Sequence, residues 1–342
     1  MPTDARVSAR PASSRRAVLW RIGLAALVLA GLAGWLLAEG ATGAFVTALV
    51  EADPGPVLLA VAIYPFITVA RAVRFQVGLR LMADGGAAVP AAPLWPLVRV
   101  AAFHSVLASL APMRLGELSL VPLLHRMVGT PLAVGSALLV VLRLIDLVVV
   151  LSSGLVALAL LPAARAAVPG AAPIAAGAVA ALMAGLAVAP WIARRLRVLT
   201  PFGGGRLGRL WQTLMGALAA QTPTRVLVQI GWTALVWGLI YAMAWLCANA
   251  TAPAIGLAGG VAGGAATALA SVLPVSTFAN AGTFEAAWML ALIPAGLSQA
   301  EALATGILFH VGGLAGSVAM GGVALLGGWP RLSRPEEGTI PR

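Results

Sequence analysis

The sequence specifies an all-α, polytopic integral membrane protein, with about six full transmembrane helices and two inverted re-entrant helical hairpins. Three observations lead there. Hydrophobic residues make up 61% of the chain and charged residues 10%, where a soluble domain carries about 25% charge. The apolar residues fall in runs of about twenty, the length that crosses a bilayer as helix. The basic residues mostly flank those runs, and all of them are arginine. Mean hydropathy is +0.97. The net charge of +11 therefore reads as the positive-inside pattern that orients helices, and not as a nucleic-acid surface. A single cysteine, Cys247, excludes an intrachain disulfide, and no cluster with zinc-ligand spacing is present. No cofactor is expected.

Residues 1–16 are polar and arginine-rich and read as a disordered cytoplasmic tail. Ser14-Arg15-Arg16 loosely resembles a twin-arginine export signal. The many spans that follow favour a basic flank on a first transmembrane helix at about 17–37. Glu39, Glu51 and Asp53 then form an acidic external loop. The second span, about 57–79, ends with Arg71, Arg74 and Arg80, of which Arg71 and Arg74 are expected to snorkel to the headgroups.

The next stretch is too short to cross. Residues 99–111 are apolar over only about half a bilayer, and Pro112-Met113-Arg114-Leu115-Gly116-Glu117 leads into a second short apolar run, 118–124. Two half-length helices joined by a proline, glycine and charged link read as a re-entrant hairpin, about 99–127. Such backbone survives at membrane depth only under a cover of protein or a water-filled cavity.

A span at about 133–161 carries Arg143 and Asp146, and another follows at about 171–192. Arg194, Arg195, Arg197, Arg206 and Arg209 mark a cytoplasmic loop after it. Counting back, the first hairpin begins and ends on the cytoplasmic side. After a span at about 226–248, residues 256–273 are rich in small residues and stop at Pro274. A polar link containing Asn280, Gly282 and Glu285 leads to a short apolar helix, 286–293. This second hairpin, about 256–294, begins and ends outside. The last span, about 302–326, carries His310 and returns to a cytoplasmic tail, 329–342. One membrane domain, 17–328, results. Both termini are cytoplasmic, and a bacterial inner membrane is the expected location. Trp20, Trp35, Trp95, Trp191 and Trp329 fall near the interfaces, as belt anchors do.

The hairpins look like repeats. Leu107-Ala108-Ser109-Leu110-Ala111-Pro112 matches Leu269-Ala270-Ser271-Val272-Leu273-Pro274. Each proline is followed by a polar link ending in Glu117 or Glu285, a short apolar helix, a glycine (Gly129 or Gly296) and a long span bearing Arg143 or His310. Their opposite orientation makes an inverted-topology repeat, a plan of secondary transporters with the substrate site near the midplane.

Arg143 lies about ten residues into its span, roughly 15 Å deep, and Asp146 is one turn further on the same face. A charge there costs about 2.5–3.5 kcal/mol or more, so it must face protein or water. Two readings stay open. In one, Arg114, Glu117, Arg143, Asp146, Asn280, Glu285 and His310 line a polar cavity, where arginine forks hold an anionic group such as a lipid phosphate. In the other, Arg143–Asp146 and Arg114–Glu117 are internal pairs that pin the hairpins. Pro112, Gly116, Pro274 and Gly282 shape the links in both. The glycine-rich run 256–264 suits close helix packing and lacks the context of a nucleotide loop.

Pro112-x-Arg114-x-Gly116-Glu117, Arg143-x-x-Asp146, Pro274 and Gly282-x-x-Glu285 resemble the motifs of the flippase-like, lysylphosphatidylglycerol synthase transmembrane-domain family, over about 17–327. The resemblance implies a bacterial or archaeal membrane domain that handles lipids. The implied partner is a membrane lipid, an anionic phospholipid or a polyprenyl or hopanoid lipid, with a homo-oligomer left open. The chain departs from the family's usual pattern at Ala279-Asn280-Ala281, where a glycine pair is common, and at His310, where arginine is common. No aminoacyltransferase domain follows, so lysylphosphatidylglycerol synthesis itself is not expected. The expected function is lipid translocation. The alternatives are a non-transporting accessory protein of a lipid-biosynthesis complex and a membrane-embedded lipid-headgroup enzyme. No nucleophile–base–acid set supports an enzyme.

Overall fold

The computed structural model describes residue 34 and residues 42–326, apart from 85, 88, 112–115, 200, 202, 204, 252–254 and 272–277. The expected first span and both tails lie outside the described residues, apart from Gly34, as do Pro112, Arg114 and Pro274. Among the described residues the fold is all-α, and the protein is a multi-pass membrane protein.

In chain order the helices are α1 (Thr42–Val50), α2 (Pro54–Ala83), α3 (Leu94–Leu110), α4 (Leu120–Val128), α5 (Leu132–Leu160), α6 (Pro162–Ala167), α7 (Ala171–Leu196), α8 (Arg206–Ala219), α9 (Pro223–Ala248), α10 (Leu257–Ala270), α11 (Thr283–Leu292) and α12 (Gln299–Leu325). Single 3₁₀ turns at Glu117–Ser119 and Phe278–Asn280 precede α4 and α11. Among the described residues, α2, α5, α7, α9 and α12 are long and apolar enough to cross a membrane, whereas α3, α10 and α11 are short apolar helices.

The helix starts follow capping chemistry. Asp53 accepts the Gly55 N–H at 2.8 Å ahead of Pro54. Thr222 accepts that of Arg225 at 3.3 Å ahead of Pro223. Ser298 and Glu301 cap α12 reciprocally, so each satisfies a donor that the first turn leaves orphaned. Helix α4 ends at left-handed Gly129, φ 78°, and the turn after α11 contains Gly296 at φ 112°, where a side chain would be strained.

The first hairpin is α3 packed on α4, and the second is α10 packed on α11. Each has its own apolar cluster. Phe75, Leu79, Leu97, Val100, Leu120, Leu124, Leu138 and Leu142 surround the first. Tyr64, Ile67, Met243, Trp288, Leu292, Leu303 and Phe309 surround the second. Helix α2 belongs to both, and Arg71 and Arg74 stand where it passes between them. At Gly116 an added Cβ would overlap the backbone carbonyl of Leu107, so only glycine lets the backbone at this position approach α3 so closely.

Three features differ from the sequence reading, the first being that α1 lies within the expected acidic external loop, between Glu39 and Glu51. The region after α7 holds the amphipathic helix α8, where only a loop is expected. Met215 is buried, and Leu214 and Leu218 pack against the first cluster. Helix α2 also runs on to Ala83, so Arg74 ends about 14 Å inside it at 1.5 Å per residue. Arg74 is 5% exposed and cannot snorkel. Helix α7, by contrast, is largely exposed, with Ile174, Val188 and Trp191 facing outward, as on a lipid-facing helix.

Candidate functional site

Among the described residues, ion pairs gather at two places, one per hairpin. At the first, Asp146 of α5 accepts from three directions. Arg74 Nη1 donates to Oδ1 at 2.5 Å and Nη2 to Oδ2 at 3.4 Å. Arg143 Nη1 donates to Oδ2 at 3.1 Å, and Trp237 Nε1 of α9 donates to Oδ1 at 3.0 Å. Arg143 also reaches the Glu117 carboxylate through Nη2. His104 of α3 stands 3.8 Å from that carboxylate and 3.1 Å from the Ser119 hydroxyl. Two guanidiniums and two carboxylates thus balance in one chain that ties α2, α5, α9 and the first hairpin's link together. Buried charges persist where each is paired and hydrogen-bonded.

At the second place, Glu285 sits in the first turn of α11. Its Oε2 accepts the Gly282 N–H at 2.6 Å, which caps the helix where negative charge is favoured. Gly282 has φ 82°, which glycine alone adopts without cost. The other oxygen, Oε1, lies 2.6 Å from His310 Nδ1 on α12. His310 Nε2 lies 2.8 Å from the Ala279 carbonyl, and the Phe284 ring stacks on the imidazole at 4.4 Å between centroids. Ala279 and Asn280 both hold left-handed backbone, with φ of 52° and 56°. For alanine such a conformation is uncommon, and here it aims the carbonyl at the imidazole.

The two places correspond. Glu117 meets Arg143 26 residues later, and Glu285 meets His310 25 residues later. In both, a hairpin glutamate meets the ionisable residue of the next long helix.

Beside the second place lies a partly open cavity of about 150 Å³. Tyr64, Ile67 and Arg71 of α2 line it, with Ser109 of α3, Asn280 of the second link, and Phe284 and His310. Arg71 donates to Ser105 Oγ at 2.7 Å and has no carboxylate partner among the described residues. The structure therefore brings Asn280 and His310 to the cavity. It joins Glu117, Arg143 and Asp146 in the paired chain, and sets Glu285 behind His310.

Sequence reasoning missed Arg71 as a cavity residue and Arg74 as the buried partner of Asp146. Their position inside a 30-residue helix was the available signal. A larger pocket of about 450 Å³ lies at the end of α2, lined by Gln76, Arg80 and Pro90, and none of the candidate residues reaches it.

Compared with known families, residues 19–321 match the profile described as the lysylphosphatidylglycerol synthase TM region. No curated protein matches the chain closely.

Proposed function

The chain belongs to the lysylphosphatidylglycerol synthase TM-region family, whose membrane proteins are related to lipid modification or transport, and from that premise we propose that it moves a lipid between the leaflets of a bacterial inner membrane. The anionic headgroup passes through the cavity beside Arg71 while the acyl chains stay in the bilayer. The observation that carries this reading is Arg71 itself. It is a guanidinium more than 20 Å along α2 by helical rise, facing a cavity and unmatched by a carboxylate among the described residues. A lone cation at such depth is costly, and an anion from the lipid offsets that cost.

The volume supports a headgroup and not a whole lipid. Sites that enclose drug-sized ligands measure about 300–1,000 Å³, and this one is smaller. Asn280 and His310 add polar groups opposite Arg71. The arrangement also agrees with two opposed hairpins meeting at the midplane, the inverted plan of transporters, with both termini cytoplasmic by arginine distribution. The candidate substrates are an anionic phospholipid or a polyprenyl- or hopanoid-linked lipid.

The test is movement of fluorescent phosphatidylglycerol across phosphatidylcholine vesicles containing the purified protein, read by quenching of the outer leaflet. Movement is expected to be faster than in protein-free vesicles. Arg71→Gln should slow it by about tenfold or more, since a charge-assisted hydrogen bond contributes about 1.5–3 kcal/mol. Equal rates with and without protein would remove the proposal.

A further inference from the structure

The donors and acceptors around His310 count out a proton. The Ala279 carbonyl only accepts, so Nε2, at 2.8 Å from it, carries a hydrogen. Nδ1 then faces Glu285 Oε1 at 2.6 Å. Two lone pairs cannot approach that closely, so a hydrogen lies between them. Whether it is assigned to the imidazole or to the carboxyl, the pair holds one proton more than a neutral histidine beside a carboxylate, and its net charge is zero. The second carboxylate oxygen is fixed by the Gly282 N–H and the ring by Phe284, so neither group is free to turn away.

We propose that Glu285 and His310 form a proton site coupled to the anion cavity, so that the protein carries one proton together with each anionic headgroup. The inference rests on the headgroup reading above. Its electrostatics follow from charge counting. With the pair loaded, Arg71 leaves the described lining of the cavity at +1. With the proton gone, Glu285 brings it to zero. The Arg74, Arg143, Asp146 and Glu117 chain contributes zero in both states. Proton and anion therefore strengthen each other's binding, and the linkage is reciprocal.

The surrounding elements add no competing titration among the described residues. From α2 the cavity receives Tyr64 and Arg71, from α3 Ser109, and from α9 only Ile240 and Met243. Helix α11 supplies Glu285 itself, α1 carries no ionisable residue, and Glu301 of α12 is held at the far cap by Ser298. His104 of α3 belongs to the other cluster, against Glu117.

Full-length protein in phosphatidylcholine nanodiscs, titrated with short-chain phosphatidylglycerol, tests the coupling. Binding is expected to take up one proton, and affinity to fall by about tenfold per pH unit once the empty site has lost its proton. Glu285→Gln keeps an acceptor for the Gly282 N–H, removes the acid, and can donate its amide N–H to His310 Nδ1, so the extra proton loses its place and proton uptake on binding vanishes. His310→Arg, with a fixed charge, gives the same loss by a different route and guards against a folding defect in the first variant. An infrared pH titration without lipid reads the site directly. A carboxyl or imidazolium signal should disappear as pH rises in the wild type and be absent in Glu285→Gln. Binding that takes up no proton, or a wild type with no such signal, overturns the proton site while leaving lipid movement standing. Absence of phosphatidylglycerol binding at every pH overturns the headgroup reading, and the coupling with it.

Discussion

Glu117 and Glu285 hold matching places in the two hairpins, yet different residues meet them. Arg143 stays charged across the accessible pH range, and its pair is locked into a four-residue chain with Arg74 and Asp146. His310 changes charge with a single proton, and its pair stands apart from that chain beside a cavity. One contact used twice thus does two jobs. At the first hairpin it fixes helices to one another. At the second it leaves a group whose charge can change. Residue chemistry, and not architecture, separates a strut from a responsive site.

The comparison can be broken most severely at Asp146. Asp146→Ala strands the buried Arg74 without its carboxylate. Removing one partner of a buried pair costs about 3–5 kcal/mol, read as a large drop in thermal midpoint in detergent. Glu285→Gln should cost clearly less, because the cap survives. Equal losses would show that the second pair is as much a strut as the first.

Gly116→Ala is expected to come next, at about 1–3 kcal/mol, because its Cβ would meet the Leu107 carbonyl. The first hairpin should loosen while the second keeps its proteolytic resistance.

Exchanging the partners sharpens the contrast. Arg143→His should give the first hairpin a pH-dependent stability that it lacks in the wild type. His310→Arg should remove that dependence from the second. The slope involved is about 1.4 kcal/mol per pH unit for one proton, measured by unfolding across pH. Each variant is compared with the wild type at every pH.

The smallest effect belongs to Ser105→Ala, which removes one hydrogen bond to Arg71. Within a membrane such a bond averages about 0.6 kcal/mol. Stability should hardly move, whereas phosphatidylglycerol movement should slow modestly as Arg71 loses its orientation.

The helices were legible because their apolar runs carry length information directly, and α5 and α9 begin within three residues of their expected starts. The glutamate, glycine and ionisable-span order of the repeat was legible too, since it depends on spacing alone. Partner choice was not. The depth of Arg74, 5% exposed, inside a long apolar run sets it apart from a flanking arginine, but nothing local names its partner, because Asp146 lies 72 residues away. Helix α8 was missed for a related reason. Arg206 and Arg209 read as a loop, although Leu207, Leu210, Trp211, Leu214 and Leu218 already follow helical spacing. The left-handed backbone at Ala279 is not legible in the alanine itself, although the glycine pair common in the family at this place points to it, and the contact of His310 with the Ala279 carbonyl accompanies it.

Trp288, fully buried between α10 and α12, has its ring against Gly263 on one side and Gly306 on the other. An added methyl at either position would stand 2.8 Å from the ring. The indole acts as a spacing gauge. It sets the separation of three helices to the thickness of one ring, and the Glu285–His310 contact lies one turn away along two of them. A single methyl at Gly306 would therefore work as a shim, opening a 2.6 Å contact that it never touches, and the tolerance of the proton site is fixed by an apolar neighbour.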